Sequence, residues 1–148
     1  MKLFDLFRTR DQILDPKTGI ASKKAIARII ADPEFPYLIS FPRTGSHWLR
    51  MLMELYFDKP SLALAFYNKE ATEFTCYHRH DESLDIQGIR NVIYLYRDPV
   101  ETIYSQMNYH KEPVDDAQRQ QYWSDLYGRH LQKWLFNETF TKKKLILS

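Results

Sequence analysis

Several features that mark other classes of protein are scarce in this chain of 148 residues. It has one cysteine, Cys76, so no internal disulfide can form and a zinc site built from cysteines is excluded. A single cysteine favours a reducing compartment, and we predict a cytoplasmic protein. Lys plus Arg total 21 and Asp plus Glu total 19, and this weak positive balance argues against a dedicated nucleic-acid binder.

The chain also has no long apolar run and no internal repeat. No stretch reaches the ~18 apolar residues of a membrane span, so we predict no membrane partner. Asp5 and Arg8 interrupt the apolar residues at the start of the chain, which argues against a signal peptide. Aromatic residues are abundant at 15% of the total, and such rings both fill cores and stack on bases.

Short β-prone runs alternate with amphipathic helical patterns along the chain. Strands are predicted over 37–41, 72–77, 91–96 and 144–147, and helices over 19–31, 46–57, 61–68, 99–109 and 116–136. This alternation predicts crossover connections, a parallel sheet and the α/β class. We predict a single domain over 1–148, with an N-terminal helical segment (1–34) and a ligand-binding core (35–148).

The first notable loop follows the strand at 37–41 and reads Pro42-Arg43-Thr44-Gly45-Ser46-His47-Trp48. A helix N-terminus after such a turn favours an anion, through free backbone N–H groups and the helix dipole. Arg43 adds positive charge, and the aromatic ring of Trp48 adds a flat face. The alternative is a helix capped by Ser46, with Trp48 in the core. The Walker A spacing is absent, which argues against an ordinary P-loop kinase or GTPase.

The second loop follows the strand at 91–96 and reads Arg97-Asp98-Pro99, with Ser105 eight residues after Arg97. The strand again ends in an arginine, and Pro99 suits the first position of a helix. By itself this motif is explained equally well by a surface pair between Arg97 and Asp98, with Ser105 inside a helix.

Together the two loops resemble those of the sulfotransferases that use 3′-phosphoadenosine 5′-phosphosulfate (PAPS), over roughly residues 35–148. The resemblance implies a three-layer α/β/α fold with a parallel sheet, of the P-loop-NTPase-like sulfotransferase type, with its C-terminal part missing. It also implies an enzyme that transfers a sulfuryl group from PAPS, without a metal. The acceptor would be a hydroxyl or amine of a small molecule or carbohydrate.

The resemblance assigns roles to particular residues. Those that would bind the cofactor are Arg43, Thr44, Gly45, Ser46, His47, Trp48, Arg97 and Ser105. Arg43 would also stabilise the leaving oxygen, and Trp48 would lie against the adenine. Arg97 and Ser105 would hold the 3′-phosphate, because a phosphate dianion suits an arginine fork and a hydroxyl.

A general base is predicted between the loops, in Tyr77-His78-Arg79-His80-Asp81. Removing the proton of an attacking hydroxyl suits a histidine with a pKa near neutral. By the resemblance His80 takes the base position and His78 the position of a lysine two residues earlier, whereas a second alignment makes His78 the base. The plain alternative is a pair of surface histidines beside acidic residues.

Three functions therefore compete: a sulfotransferase, an ATP-dependent nucleotide or nucleoside kinase-like enzyme, and a non-catalytic nucleotide-binding module of the same fold. His47 replaces a hydroxyl residue of the sulfotransferase loop, and that family's C-terminal basic loop has no counterpart here. The chain stops at Ser148 within an apolar run, so we expect a fragment or a shortened relative. An exposed sheet edge would then favour self-association or low stability.

Overall fold

The structure is a computed structural model and describes residues 13–148. Within that range one sheet of four parallel strands is flanked by four α-helices. The strands are β1 (Tyr37–Ser40), β2 (Tyr77–Arg79), β3 (Arg90–Leu95) and β4 (Thr141–Leu147). The helices are α1 (Lys23–Ile30), α2 (Ser46–Phe57), α3 (Pro99–Tyr109) and α4 (Ala117–Leu131), and a π-helical turn (Gln132–Phe136) extends α4. The predicted α/β class with a parallel sheet is confirmed.

The strands lie in the order β2-β1-β3-β4, so β1 is central and the chain changes direction across the sheet after β2. Tyr37 of β1 lies opposite Tyr77 of β2 on one side and Val92 of β3 on the other. The connection that leaves β1 through α2 therefore goes one way, and the connection that leaves β3 goes the other. This arrangement opens a crevice at the carboxyl ends of β1 and β3.

Both faces of the sheet carry buried apolar clusters. On one face the cluster consists of Tyr37, Ile39, Ile86, Val92, Tyr94 and Trp134. On the other it consists of Leu38, Cys76 and Leu95, with Leu49 and Met53 of α2 packed against it. All residues of β1 are buried, which explains why the strand is an unbroken apolar run. Burial raises the pKa of the Cys76 thiol to about 11.

The loop after β2 is fixed by Asp81, which is buried. Its Oδ2 accepts hydrogen bonds from Lys133 Nζ at 2.9 Å and Trp134 Nε1 at 2.8 Å, and its Oδ1 accepts from the Ile86 N–H at 2.9 Å. Burial opposes ionisation of this carboxyl, but the hydrogen bonds outweigh it and lower the pKa of Asp81. The buried ion pair between Asp81 and Lys133 therefore ties the end of β2 to the π-helical turn.

Two predicted elements differ from the structure. The helix predicted over 61–68 is wrong, because the N–H groups of Phe66, Tyr67 and Asn68 donate to the buried carboxylate of Glu54 at 2.7–2.8 Å. The strand predicted over 72–77 instead begins at its last residue. The signal-peptide prediction concerns residues outside the described part of the chain. None of the described helices is long and apolar enough to cross a membrane.

Candidate anion-binding site

A pocket of about 560 Å³ lies where the carboxyl ends of β1, β2 and β3 meet. Its lining includes Arg43, Gly45, Ser46, His47, Trp48, His78, His80, Arg97 and Ser105. The structure therefore brings both predicted loops and both predicted histidines to one place. This place is also the crevice that the strand order creates, and ligands of open α/β sheets bind in such crevices.

The N-terminus of α2 opens onto this pocket. Gly45 precedes the helix with φ of 95°, a left-handed conformation that glycine adopts without strain. No side chain caps α2, whereas Ser22, Asp98 and Asp116 cap the other three described α-helices. Since the first N–H groups of a helix have no partner within it, α2 offers unbonded donors and the positive end of its dipole.

Arg43 joins the loop after β1 to α3. Its Nε donates to Ser105 Oγ at 3.2 Å, and its guanidinium lies 5.1 Å from the ring centroid of Tyr109. Across residues 13–148 no carboxylate forms an ion pair with Arg43. Its charge is therefore available to a ligand beside the N-terminus of α2.

Arg50 also lines the pocket, although it belongs to neither of the loops predicted from the sequence. It lies four residues after Ser46 on α2, so the helical period places both on one face. Its guanidinium lies 5.3 Å from the ring centroid of Phe66, and its buried Nε has no hydrogen-bond partner. Burial lowers the pKa of Arg50, and no described carboxylate forms an ion pair with it.

The two predicted histidines share a hydrogen-bonded network with Ser40 at the end of β1. Ser40 Oγ lies 3.1 Å from His78 Nε2 and 3.3 Å from His80 Nδ1. His80 Nδ1 also lies 3.0 Å from the Ser40 carbonyl oxygen. Burial lowers the pKa of His78 to about 3 and lowers that of His80 too, so both rings are neutral at pH 7. The pair thus connects β1 to β2 without adding charge to the pocket.

Behind this pair lies His130, which is fully buried. Its Nε2 donates to the His80 carbonyl oxygen at 2.7 Å, which leaves Nδ1 to accept from the Tyr94 hydroxyl at 2.9 Å. Burial lowers the pKa of His130 to about 4. His130 therefore fixes the backbone of His80 against β3 and α4. Among the described residues no group of three or more His, Cys, Asp or Glu side chains could hold a metal.

In the loop after β3, the polar side chains form hydrogen bonds within the same segment. Arg97 Nε donates to Glu101 Oε2 at 2.8 Å, and a second guanidinium nitrogen lies 2.6 Å from the same oxygen. Asp98 Oδ1 accepts from the Glu101 N–H at 3.1 Å and so caps α3. The surface pair of Arg97 with Asp98 is therefore wrong, because Glu101 one helical turn later is the partner. Arg97 reaches the pocket with its charge already balanced.

The remaining predicted ligand residues lie in different settings. The Thr44 hydroxyl donates to the Phe41 carbonyl oxygen at 2.8 Å, so it stabilises the turn instead of facing a ligand. His47 packs edge-on against Phe66, with ring centroids 4.7 Å apart. Trp48 is 70% exposed, so the alternative of a core tryptophan is wrong.

Gln106 of α3 is a second lining residue that was not predicted from the sequence. Only 2% of it is exposed, its amide nitrogen lies 3.2 Å from His110 Nε2, and its Oε1 has no partner within the described chain. An unpaired buried acceptor costs about 1–3 kcal/mol, so a ligand donor at this point would be stabilising. Nothing in the sequence distinguishes this glutamine from others on helices.

The fold and the pocket together define an α/β protein with an arginine-lined pocket at the switch point of a parallel sheet. Comparison with known families matches residues 65–143, more than half of the chain, to the family NP1-WLL, Non-capsid protein NP1. The protein belongs to this family, which is viral. The matched range begins after the loop that follows β1 and includes β2, β3, α3 and α4. No curated protein and no solved structure matches the chain.

Membership in this family overturns the resemblance to PAPS-dependent sulfotransferases. The predicted sulfuryl transfer and the assignment as a transferase are wrong, and the kinase-like alternative is withdrawn with them. The physical reason is that a strand, an arginine turn and a helix N-terminus form a general anion-binding unit, which occurs on folds of unrelated function. The catalytic roles given to His80, His78 and Arg43 were implied by that resemblance, and they stay predictions. The predicted small-molecule partner, self-association and cytoplasmic location stay predictions.

Proposed function

We propose that this protein binds a small phosphate-bearing molecule in the pocket between β1 and β3. One observation carries the proposal: the uncapped N-terminus of α2 lies beside Arg43 at the switch point of the sheet. The finer description of the fold, a three-layer α/β/α arrangement of the P-loop-like type, belongs to the same proposal. It is supported by the order of strand, turn and helix at β1 and by apolar clusters on both faces of the sheet.

The charges around the pocket favour an anion of high charge. The N-terminus of a helix carries roughly half a positive charge. Arg43 and Arg50 each add a full charge that no described carboxylate neutralises, and they outweigh the exposed carboxylate of Glu82, which also lines the pocket. A phosphate group has more charge and more acceptor oxygens than a carboxylate, so it gains most from such a set of donors.

An adenine nucleotide is the ligand class that the lining suits best. Trp48 lies on the first turn of α2 with most of its ring exposed, and aromatic faces stack on bases. The predicted cofactor PAPS is one member of this class, as a ligand and not as a sulfuryl donor. Its 3′-phosphate would compete with Glu101 for Arg97, so we expect no preference for 3′-phosphorylated nucleotides.

Calorimetric titration of the full chain tests this function. The ligands are inorganic phosphate, AMP, ATP and 3′-phosphoadenosine 5′-phosphate, with adenosine as the uncharged control. We expect each phosphate-bearing ligand to bind and to raise the melting temperature, because a ligand of the folded state stabilises it. Arg129→Ala removes an exposed cation of α4 that does not line the pocket and is expected to leave affinity unchanged. Binding of adenosine as tight as that of AMP would contradict the proposal.

A further inference from the structure

We infer that the pocket contains two anion subsites, one on each side of the first turn of α2, and that its ligand carries two phosphate groups. This inference rests on the proposed function, since it specifies the ligand of the same pocket.

The first subsite lies on the side of α3. Arg43 is held there by its hydrogen bond to Ser105 and by the ring of Tyr109. The guanidinium has further N–H groups beyond the one used for Ser105. A phosphate at the N-terminus of α2 would receive these together with the unbonded backbone donors of the helix.

The second subsite lies on the side of β2. Arg50 stands over the ring of Phe66, in the segment that follows α2. It lines the pocket together with His78 and His80, which places it near the end of β2. The titratable neighbour with negative charge on this side is Glu82, which is exposed and lines the pocket.

The guanidinium groups of Arg43 and Arg50 lie against different rings, those of Tyr109 and Phe66. Arg43 precedes α2, whereas Arg50 lies one turn after Ser46, and a turn of helix rises 5.4 Å. Each guanidinium is also supported by a different part of the chain. The support for Arg50 is rigid, because three N–H groups of residues 66–68 donate to the buried carboxylate of Glu54 and so fix Phe66.

Gln106 gives an independent sign that a ligand fills this pocket. Its side chain is 98% buried, since 2% is exposed, and its Oε1 has no partner within the described residues. It lines the pocket together with Ser105, the hydrogen-bond partner of Arg43. A ligand with a hydroxyl or amine near one of its phosphates would satisfy this acceptor.

Titration of the full chain with inorganic phosphate and with pyrophosphate tests the inference. We expect pyrophosphate to bind at least about tenfold more tightly, because it engages a second charge-assisted set of donors. Arg50→Ala should remove this advantage, because it should weaken binding of pyrophosphate much more than binding of phosphate. Arg50→Lys should restore part of it, and Arg129→Ala is the matched control. Thermal unfolding of each variant checks that it is folded.

The outcomes separate the two proposals. If phosphate binds and Arg43→Ala weakens it, but pyrophosphate binds no more tightly and Arg50→Ala changes nothing, the pocket has one subsite and the inference is wrong. If neither anion binds to the folded chain, the proposed function itself is wrong. Equal weakening of phosphate and pyrophosphate by Arg50→Ala would also contradict two subsites, since it would place both arginines on one phosphate.

Discussion

The loops after β1 and β3 share one arrangement, in which a strand ends, an arginine follows and a helix begins. They differ in whether a carboxylate neutralises the arginine. Four residues after Arg97 stands Glu101, which binds the guanidinium. Four residues after Arg43 stands His47, which packs against Phe66 instead. Asp98 caps the second helix, whereas α2 has no side-chain cap. The comparison teaches that residue type and spacing establish the turn, and that the neighbour one helical turn later decides whether its arginine can bind a ligand.

Lowering the pH should have the largest effect, because it destabilises the region around the first loop, the one that follows β1. The ordinary pKa of histidine is 6.5, and the folded chain lowers it to about 3 at His78 and about 4 at His130, and lowers it also at His80. Below pH 6.5 these histidines therefore bind protons in the unfolded chain, whereas in the folded chain they stay neutral until the pH falls to their lowered pKa values. Stability should fall as the pH drops from about 6.5 toward 4, by at most about 1.4 kcal/mol per pH unit for each of His78 and His130.

Urea unfolding at pH 7, 6 and 5 measures this loss of stability. His78→Gln should flatten the dependence on pH, because it removes one of the titrating groups. Constant stability across this range would show that these rings gain protons in the folded chain as readily as in the unfolded one.

Removal of each arginine should give unequal losses of affinity. Arg43→Ala should weaken binding of AMP about tenfold or more, since a charge-assisted hydrogen bond contributes about 1.5–3 kcal/mol. Arg97→Ala should change it less than about threefold, because its charge is already paired with Glu101. Calorimetry on the two variants makes the comparison directly. Equal losses would mean that Glu101 releases Arg97 when a ligand binds.

Gly45→Ala should cost the folded chain about 1–2 kcal/mol, because Gly45 has φ of 95° and alanine is strained there. Gly88 offers a matched control, since it has φ of 87° and, like Gly45, leaves open space for a methyl group. Both alanine variants should unfold at similarly lower urea concentrations. Only Gly45→Ala should also weaken AMP binding, because Gly45 sets the start of α2. Weakening of equal size in both variants would indicate a general effect of lower stability.

Glu101→Gln should make the second loop more like the first. A surface ion pair of this kind contributes about 0.2–1 kcal/mol, so its loss should scarcely change stability. The freed charge of Arg97 should raise affinity for AMP about two- to threefold and introduce a preference for 3′-phosphoadenosine 5′-phosphate. Both effects can be read in one competition titration. An unchanged affinity would show that Arg97 lies too far from the ligand.

Much of the frame of this pocket could be predicted from local signals. The unbroken apolar run of β1, the helix start at Ser46 and the proline at Pro99 each act through neighbours in sequence, and the elements formed as predicted. The failures depend on partners far apart. The helix over 61–68 is lost to Glu54, and Arg50 became a lining residue only because the fold sets α2 beside the end of β2.

The pairing of Arg97 with Glu101 is an intermediate case. Its spacing of four residues on a helix is a recognised signal for an ion pair, so it could have been predicted from the sequence. The lack of a side-chain cap on α2 could be predicted from Gly45. That no described carboxylate forms an ion pair with Arg43 could be seen only once the positions of those carboxylates were known.

The buried thiol of Cys76, under α2, allows the movement of this helix away from the sheet to be measured. Cys76 is fully buried against Leu38, Leu95 and α2, and its raised pKa keeps it protonated, so a thiol reagent reacts only with molecules in which the helix has moved away from the sheet. Because the chain has one cysteine, the rate of its alkylation measures how often the helix moves away, and no engineered cysteine is needed. A ligand at the N-terminus of α2 would stabilise the packing of the helix on the sheet. The alkylation of Cys76 would then slow in proportion to the fraction of molecules that have bound the ligand.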